Sequence, residues 1–569
     1  MSETILIIGA TGVFGRRLAS HLARTSGYQL ILASRSYARA RQLADELAAR
    51  PETKATLEPI ALDTTAGIEP ALASVHPKLV VDCSGPFQAM DYRVPLAAAV
   101  AGAHFVDLAD GRQYVLGFEH ALDATFRSRR LIGLTGASSS PALAGAAVAE
   151  LTRGWKRVDN IDIAIVPGGR SEVGEAAVAA ALSYCGKGVP VVAAGVLDHA
   201  LGWGMRRHVS IPSVGRRFVA PVETPDAELL RALYPEATRI GFWAGLESPL
   251  EQWGMAIIAQ GRRLGWLRRP ESLAPLLARA RQLTRLTTGT TGAMSVRVVG
   301  LDQAAQWTQA EWRLTARNNE GPQVPPSPAA AAVRAILAGS IAPGARPALA
   351  LPLTAIESEF AGYAIETERV IERSDRCFVE GAIGSDAFDR LPGAVKAFHA
   401  IDAPAVWTGR ATVDGATAPL ARIVARAVGF PGSGEGVPVT VVVDRKMPTS
   451  IGQPPPTETW TRSFGGHQFV STIAAQGAGE TTERFGPFTF ALALAARDGR
   501  LHYPVMGWRI GPVHLPTAWA PQSTAHEWED DQGRFNFDVR LSHPLLGMLA
   551  RYRGWLVPAI RRPPSAPER

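Results

Sequence analysis

The stretch that decides the fold is Ile5-Leu-Ile-Ile8, followed without a break by Gly9-Ala-Thr-Gly12-Val-Phe-Gly15 and then by Arg16–Arg24. Four apolar residues rich in β-branching read as a buried strand. Glycines at every third position read as a tight turn, and the Ala/Leu/Arg run behind them has helical period. The alternation continues outward to residue 140. Apolar runs at Leu30–Leu32, Leu57–Leu62, Leu79–Asp82, Phe105–Leu108 and Leu131–Leu134 are separated by helical stretches such as Ala38–Ala49. Parallel neighbours need a crossover helix and bury both faces of their sheet. Residues 1–150 are therefore expected to form an α/β, Rossmann-type, doubly wound parallel sheet.

Beyond this the texture changes. Strand-like runs at Ile161–Val166, Met294–Gly300 and Trp312–Ala316 alternate with long helical stretches, and the break Pro322–Pro328 precedes a helix at Ala329–Ala338, so residues 151–372 read as an α+β second domain. From 373 to 560 one short helix, Leu391–His399, is followed by alternating runs at Val437–Asp444, Thr457–Thr472, Phe488–Ala496 and Arg534–Leu541. These predict a mostly antiparallel β domain. The Pro/Arg-rich tail 561–569 reads as disordered.

With 569 residues, two to four domains are expected, and 46% hydrophobic against 20% charged residues excludes a disordered or fibrous chain. Cys83, Cys185 and Cys377 are too few for a disulfide framework or a cysteine-based zinc site, so a reducing compartment and no metal are expected. The first residues lead into a glycine turn rather than an export signal, and no uninterrupted run of ~18 apolar residues occurs. A cytoplasmic protein is expected.

The glycine turn carries the chemistry. A dinucleotide pyrophosphate needs a bend without Cβ atoms, a backbone close enough to touch phosphate, and a helix N-terminus whose free amides face the anion; Gly9, Thr11, Gly12, Val13, Phe14 and Gly15 meet that description. A purely structural turn is the alternative. The second strand ends in Ala33-Ser34-Arg35-Ser36, where an acid would bind the ribose hydroxyl of NAD and an arginine the extra phosphate of NADP. Ser34, Arg35, Ser36 and Arg39 thus favour NADP, against a reading of Arg35 as a solvated side chain beside a helix cap. Asp63 either meets the adenine amino group or caps the next helix. Loops after the fourth, fifth and sixth strands line the same rim: Ser84, Gly85 and Pro86 toward the nicotinamide half, then Asp107, Asp110 and Ser138–Ser140. Asp110 or Asp107 serves as a proton donor or substrate-amine partner, or else caps a helix; the serines read as caps rather than nucleophiles.

Gly9–Gly15, Ser34-Arg35, Cys83-Ser-Gly-Pro-Phe87, Phe105-Val-Asp-Leu108 and Gly136-Ala-Ser-Ser-Ser-Pro141 together resemble, in order and spacing, the NADP-binding domain of saccharopine dehydrogenase-like oxidoreductases. Thr288–Met294 and Gly321–Pro325 are similar to the second domain of such proteins. Phe388–Pro392, Thr461–Gly465, Glu483–Pro487 and Gly533–Asp538 resemble a C-terminal domain of unknown function found behind them. The resemblance implies an NADP cofactor and hydride transfer to or from a carbonyl or imine of unknown identity, with Asp110, Gln88 and Tyr92 as catalytic candidates. The amino-acid-binding arginines of true saccharopine dehydrogenases have no counterpart, so lysine metabolism is not implied.

Residues 200–290 hold thirteen arginines against seven acids, nearly all of the net +7, with Trp203, Trp243, Trp253 and Trp266 among them. This mixture suits an anionic membrane surface, or a solvated or interdomain face; no nucleic-acid module accompanies it. In the third domain His467, His502, His514 and His543 lack metal-ligand spacing. Phe464, Phe469, Phe485, Phe488 and Phe490 read as one face of a sheet core, or as a cup for an apolar ligand. The leading expectation is a three-domain NADP(H)-dependent oxidoreductase, a homodimer being compatible with it. Its rival is a non-catalytic NADP(H)-binding sensor or scaffold whose C-terminal domain takes a lipid or protein.

Overall fold

A computed structural model describes residues 2–172, 175–193, 195–204, 207–304, 306–373, 377–400, 406–428, 430–446, 457–477, 480–516 and 520–559. The chain divides into two compact units, Met1–Gln303 with Gln309–Ile371, and Ala304–Thr308 with Glu372–Arg569. The tail expected to be disordered lies outside the described residues.

The first sheet of the larger unit is built as the alternation predicts. Strands β1 (Glu3–Ile8), β2 (Tyr28–Ser34), β3 (Thr56–Ala61), β4 (Leu79–Asp82), β5 (His104–Asp107) and β6 (Ile132–Thr135) are interleaved with helices α1 (Gly15–Ala23), α2 (Tyr37–Ala48), α3 (Glu69–Val75), α4 (Arg93–Val100), α5 (Arg112–Ser128) and α6 (Ala144–Leu151). All strands are parallel in the order β6-β5-β4-β1-β2-β3. Ile5, Leu6, Ile7, Leu30, Leu32 and Val81 are fully buried, as a sheet covered on both faces requires. Between β1 and β4 the winding reverses, which opens a crevice at their carboxyl ends.

A seventh strand, Gly344–Pro347, pairs in parallel with β6. It lies far along the chain, inside the stretch expected to belong to the second domain. Four residues ending in proline carry no strand signature, and an edge position is where a strand tolerates proline. Its place is set instead by long-range contacts: the Gly344 amide donates to the Leu131 carbonyl at 2.8 Å and the Ala345 amide to Asp123 Oδ1 at 3.0 Å.

The second sheet of this unit is mixed. Arg157–Val166 lies at its centre, between the parallel strand Arg239–Ala244 and the antiparallel strand Gly292–Leu301, with Trp307–Ala316 and Ile365–Arg373 beyond. The smaller unit is one antiparallel sheet of thirteen strands between Val406 and Pro558. The run Thr457–Thr472, expected as one strand, is a hairpin instead: Thr457–Phe464 and His467–Gly477 pair across a turn at Gly465-Gly466, where φ is +54° and +95°. Only glycine takes up both conformations without strain. Phe398 anchors this unit's core, stacked on Phe535 at 4.1 Å between ring centroids and edge-on to Trp407 and Trp460.

Candidate functional site

The turn after β1 is held by contacts that exclude side chains. Gly9 has φ +71°, and a Cβ there would lie 3.0 Å from the backbone of Cys83 and Ser84 at the end of β4. A Cβ on Gly15 would stand 2.2 Å from the Gly9 carbonyl oxygen, so glycine alone lets α1 begin this close to the turn. The Gly12 amide closes the bend on the Gly9 carbonyl at 2.9 Å, and Arg16 and Leu18 begin the helical ladder by donating to Gly12 and Phe14. Among the described residues the amides of Val13, Phe14 and Gly15 meet no backbone acceptor, and no acidic side chain occupies the first turn of α1. Three free amides and the positive helix end therefore face the crevice between β1 and β4, which is the provision an anionic pyrophosphate requires. Gly12 and Phe14 are exposed and Thr11 and Val13 half-buried, so the bend is open to a ligand.

Thr11 is tied to the end of β2: its hydroxyl lies 2.9 Å from that of Ser34. Ser36 caps α2, accepting from the Arg39 amide at 3.4 Å. Arg35 is exposed between these two serines, and it adds to the forces that lower the Asp63 pKa. The chief cause of that lowering is the hydrogen bond from Thr65, and Asp63 caps the short turn Thr64–Ala66. Its cap role is thus occupied by the fold.

At the ends of β4 and β5, Asp82 and Asp107 are register partners, both buried. Asp82 Oδ1 accepts from the Ser84 amide and hydroxyl at 2.8 and 2.6 Å, which fixes the loop that carries Ser84, Gly85 and Pro86. Asp107 Oδ1 accepts from the Ala109 and Gly136 amides and the Thr135 hydroxyl, holding the loops after β5 and β6 together. The second oxygen of each carboxyl is buried without a partner. Burial pushes Asp107 up to about 7 and raises Asp82 as well. Gln88 donates from Nε2 to Asp110 Oδ1 at 3.1 Å, and its Oε1 has no partner. Asp110 is itself exposed, at a point where the dense protein around it lifts its carboxyl pKa.

Tyr92 is placed differently from Gln88 and Asp110. Its hydroxyl donates to the Tyr114 carbonyl at 2.9 Å, and its ring packs on Tyr114 and Phe118, so its polar atom serves the start of α5. Ser140 donates to Asp226, a buried carboxyl pushed up to about 6 by desolvation. Ser139 is buried and its hydroxyl has no partner.

The second sheet's loops supply groups the sequence did not single out. Glu223 and Tyr184 are each close enough to Asp110 to be perturbed by it, their pKa values being raised chiefly by burial. Arg112, at the start of α5, pairs with Glu228 at 2.6 Å. Asp110, Gln88, Glu223, Tyr184 and Arg112 thus form one polar cluster within the larger unit. Glu223 and Tyr184 lie in stretches with no motif, so nothing local marked them. Asp107 was legible as an acid closing a parallel strand; its pairing with Asp82 came from the register.

The Arg/Trp stretch divides. Trp203 and Trp243 are buried; Arg207 lies over the Trp243 ring at 4.0 Å and pairs with Asp162 at 2.7 Å, and Arg262 Nη1 donates to the Leu182, Ser183 and Cys185 carbonyls. Those members are structural. By contrast Trp253 and Trp266 are exposed, with Arg263, Arg268 and Arg269. Arg206 lies outside the described residues. No described helix is long and apolar enough to cross a membrane, and no His/Cys/Asp/Glu group of metal-binding form occurs among the described residues.

Comparison with known proteins gives matches at both ends of the chain. Residues 3–88 match the KR domain and residues 391–556 the family described as Domain of unknown function (DUF4166). No curated protein matches the sequence. Among solved structures, the chain is similar to apo saccharopine dehydrogenase (L-Glu forming) from Saccharomyces cerevisiae, at 14% identity over 65% of this chain and 100% of that one, with a TM-score of 0.45. It is also similar to C. glutamicum DAP dehydrogenase in complex with DAP, at 14% identity over 62% and 95% with a TM-score of 0.35, and to an engineered D-amino acid dehydrogenase bound to NADP+, at 15% over 63% and 96% with a TM-score of 0.35. The chain thus carries a stretch that matches the KR domain at its front and a stretch that matches DUF4166 behind.

Proposed function

We propose that the protein is an NADP(H)-dependent oxidoreductase of saccharopine dehydrogenase-like type acting on a small carbonyl or imine compound in the cytoplasm. The observation that carries this reading is the bend at Gly9–Gly15, with the unoccupied amides of Val13, Phe14 and Gly15 and no room for a Cβ at Gly9 or Gly15. That cradle fits a dinucleotide diphosphate, and Arg35, exposed beside Ser34 and Ser36, supplies a free cation for a 2′-phosphate. When bound, the nicotinamide supplies hydride. Ser84, Gly85 and Pro86, held by Asp82, border the crevice. Asp110, oriented by Gln88 and with its pKa raised by the protein packed around it, holds or releases the proton that accompanies hydride transfer. Tyr92, whose hydroxyl is engaged by Tyr114, orders α5 rather than the proton path. Glu223 lies close enough to Asp110 to feel its charge, and two neighbouring carboxyls favour a substrate that carries a cationic nitrogen.

Calorimetric titration of the full chain with NADPH and NADH tests the proposal. NADPH is expected to bind more tightly, and Arg35→Ala to weaken it roughly 10- to 100-fold while leaving NADH within about twofold, because a charge-assisted phosphate contact contributes about 1.5–3 kcal/mol. Absence of binding by either nucleotide at millimolar concentration overturns the reading. Tight NADPH binding with no turnover over a panel of keto, aldehyde and imine compounds would favour the sensor instead.

A peripheral membrane contact is supported by a specific face. On the helix Pro249–Arg263 the buried Gln252, Met255, Ala256 and Ala259 pack inward, while Leu250, Trp253 and Ile257 form an exposed stripe on the opposite side. Leu264 and Trp266, the latter 82% exposed, extend it, and Arg263, Arg268 and Arg269 are exposed around it. An apolar stripe with tryptophans and arginines matches the chemistry of an anionic bilayer surface. Pelleting with phosphatidylserine-containing vesicles but not with pure phosphatidylcholine is expected; no pelleting with either removes the proposal.

A further inference from the structure

The smaller unit holds a partly open cavity of about 320 Å³ lined from nearly every long strand of its sheet. It extends from Phe464 and Ile473 through Phe490 and Trp508 to Ala525, Val539 and Leu556, so residues nearly a hundred positions apart face one space. Strands from both halves of the hydrogen-bonded order contribute to that wall, which requires the sheet to curl around the cavity. The size lies within the range of small-molecule sites. It would accommodate roughly ten groups the size of a water or methylene, at about 30 Å³ each.

The polar groups on the wall restrict the ligand's charge. Arg462 is engaged with Glu483 at 3.2 Å and with the Ser471 hydroxyl at 2.7 Å, and lies over the Trp460 ring. Glu527 Oε2 accepts from the Tyr503 hydroxyl at 2.9 Å and meets His399 Nε2 at 2.6 Å. His543 accepts from the Leu545 amide at Nδ1. The indole N–H groups of Trp460 and Trp508 donate to Glu458 and to the Pro516 carbonyl. No cation of the wall is left for an anionic head group, and burying an unpaired carboxylate is costly. Glu527 Oε1, Glu483 Oε2 and the Ser523 and Tyr552 hydroxyls are wall atoms with no hydrogen-bond partner among the described residues. The carboxylate oxygens accept only; the hydroxyls donate and accept.

We propose that this cavity binds a neutral, predominantly aliphatic or polycyclic molecule bearing a hydroxyl group, which donates to Glu527 or accepts from Tyr552 while its apolar body fills the aromatic cup. The site lies wholly within the smaller unit and is independent of the nucleotide reading. Fluorescence titration of the full chain with 1-aminoanthracene, followed by displacement with 1-decanol or decanoate, tests it. The probe is expected to bind with micromolar affinity, and decanol to displace it at least tenfold more effectively than decanoate. Ala525→Trp, which fills the cavity from a half-buried wall position, is expected to weaken the probe at least tenfold with the thermal midpoint retained. Tyr552→Phe, which keeps the ring and folds with the parent's contacts, is expected to narrow the advantage of decanol at least threefold. A parent protein that ignores the probe, an Ala525→Trp variant that titrates like the parent, or decanoate matching decanol would each overturn the proposal; should Ala525→Trp fail to fold, the decanol-to-decanoate ratio on the parent and on Tyr552→Phe decides.

Discussion

The glycine turn of the larger unit and the aromatic cup of the smaller one recognise by opposite means. At the turn the atoms offered to the proposed ligand are backbone amides, exposed because side chains are missing at Gly9, Gly12 and Gly15. In the cup they are side chains, brought together from strands between Val406 and Pro558. A site made of backbone must be contiguous in sequence, since neighbouring amides converge only within one bend. A site made of side chains needs no contiguity at all. The first kind should fail abruptly when one atom is added, the second gradually as atoms are removed.

The sharpest way to break this contrast is Gly15→Ala. The added methyl would overlap the Gly9 carbonyl at 2.2 Å, so the helix must withdraw from the turn. NADPH affinity is expected to fall at least a hundredfold in calorimetry, with about 1–3 kcal/mol of stability lost through overpacking. An unchanged titration would mean the amides of Val13–Gly15 are not the binding atoms. Removal of atoms from the cup should grade with burial. Phe398, 1% exposed and packed on Phe535, Trp407 and Trp460, is expected to cost about 3–5 kcal/mol in denaturant unfolding as Phe398→Ala. Phe490, half-buried on the wall, should cost about 1 kcal/mol or less as Phe490→Ala and merely enlarge the cavity. Equal costs would show that the two rings belong to one closed core rather than to a core and a cup.

The same contrast explains what was legible. The six strands and their crossovers followed from β-branched runs and helical period, and the tight turn after the first strand followed from Gly9, Gly12 and Gly15, because local sequence determines both. Strand Gly344–Pro347 was hidden, since its pairing depends on Leu131 and Asp123 and not on its own four residues. The hairpin at Gly465-Gly466 was merged into one strand, although the glycine pair was its local signal. Glu223 and Tyr184 reach Asp110 only through folding, and Tyr92, chosen for its phenol, turned out to have that group bound to a carbonyl. The phenylalanines of the third domain were read both as core and as cup; the structure buries Phe464 and Phe469 and places Phe464, Phe485, Phe488 and Phe490 on the cavity wall.

Electrostatics separates the two regions as well. Asp107 closes β5 in a buried environment that pushes it up to about 7, above its unfolded value near 3.9. The folded state therefore holds a proton that the unfolded chain has released. This contribution to stability is complete below about pH 4 and is lost as pH rises through 7. Asp107→Asn removes the titration, and the fall in thermal midpoint between pH 4 and 7 is expected to become shallower by a few degrees. Some slope should persist, because Asp226, pushed up to about 6, loses its own contribution in the same direction. A variant profile parallel to the parent's would mean that the carboxyl is ionised in the folded state throughout.

The smallest effect concerns the exposed face of the helix Pro249–Arg263, which resembles the cup in chemistry but is turned outward. Its arginines are peripheral to an apolar stripe, so each should add only a long-range attraction to anionic lipid, about 1 kcal/mol near the surface at physiological salt. Arg268→Ala is expected to lower binding to phosphatidylserine vesicles roughly fivefold, and raising the salt should erase the difference, since the residue is exposed. Trp266→Ser should instead lower binding equally at low and high salt, because an inserted indole acts through apolar contact. If both variants lose binding with the same salt dependence, the face acts by charge alone and the stripe from Leu250 to Trp266 does not enter the bilayer. If neither loses any, the stripe belongs to a contact with protein, and the outward apolar face is closer in kind to the buried wall of the cup than to a lipid anchor.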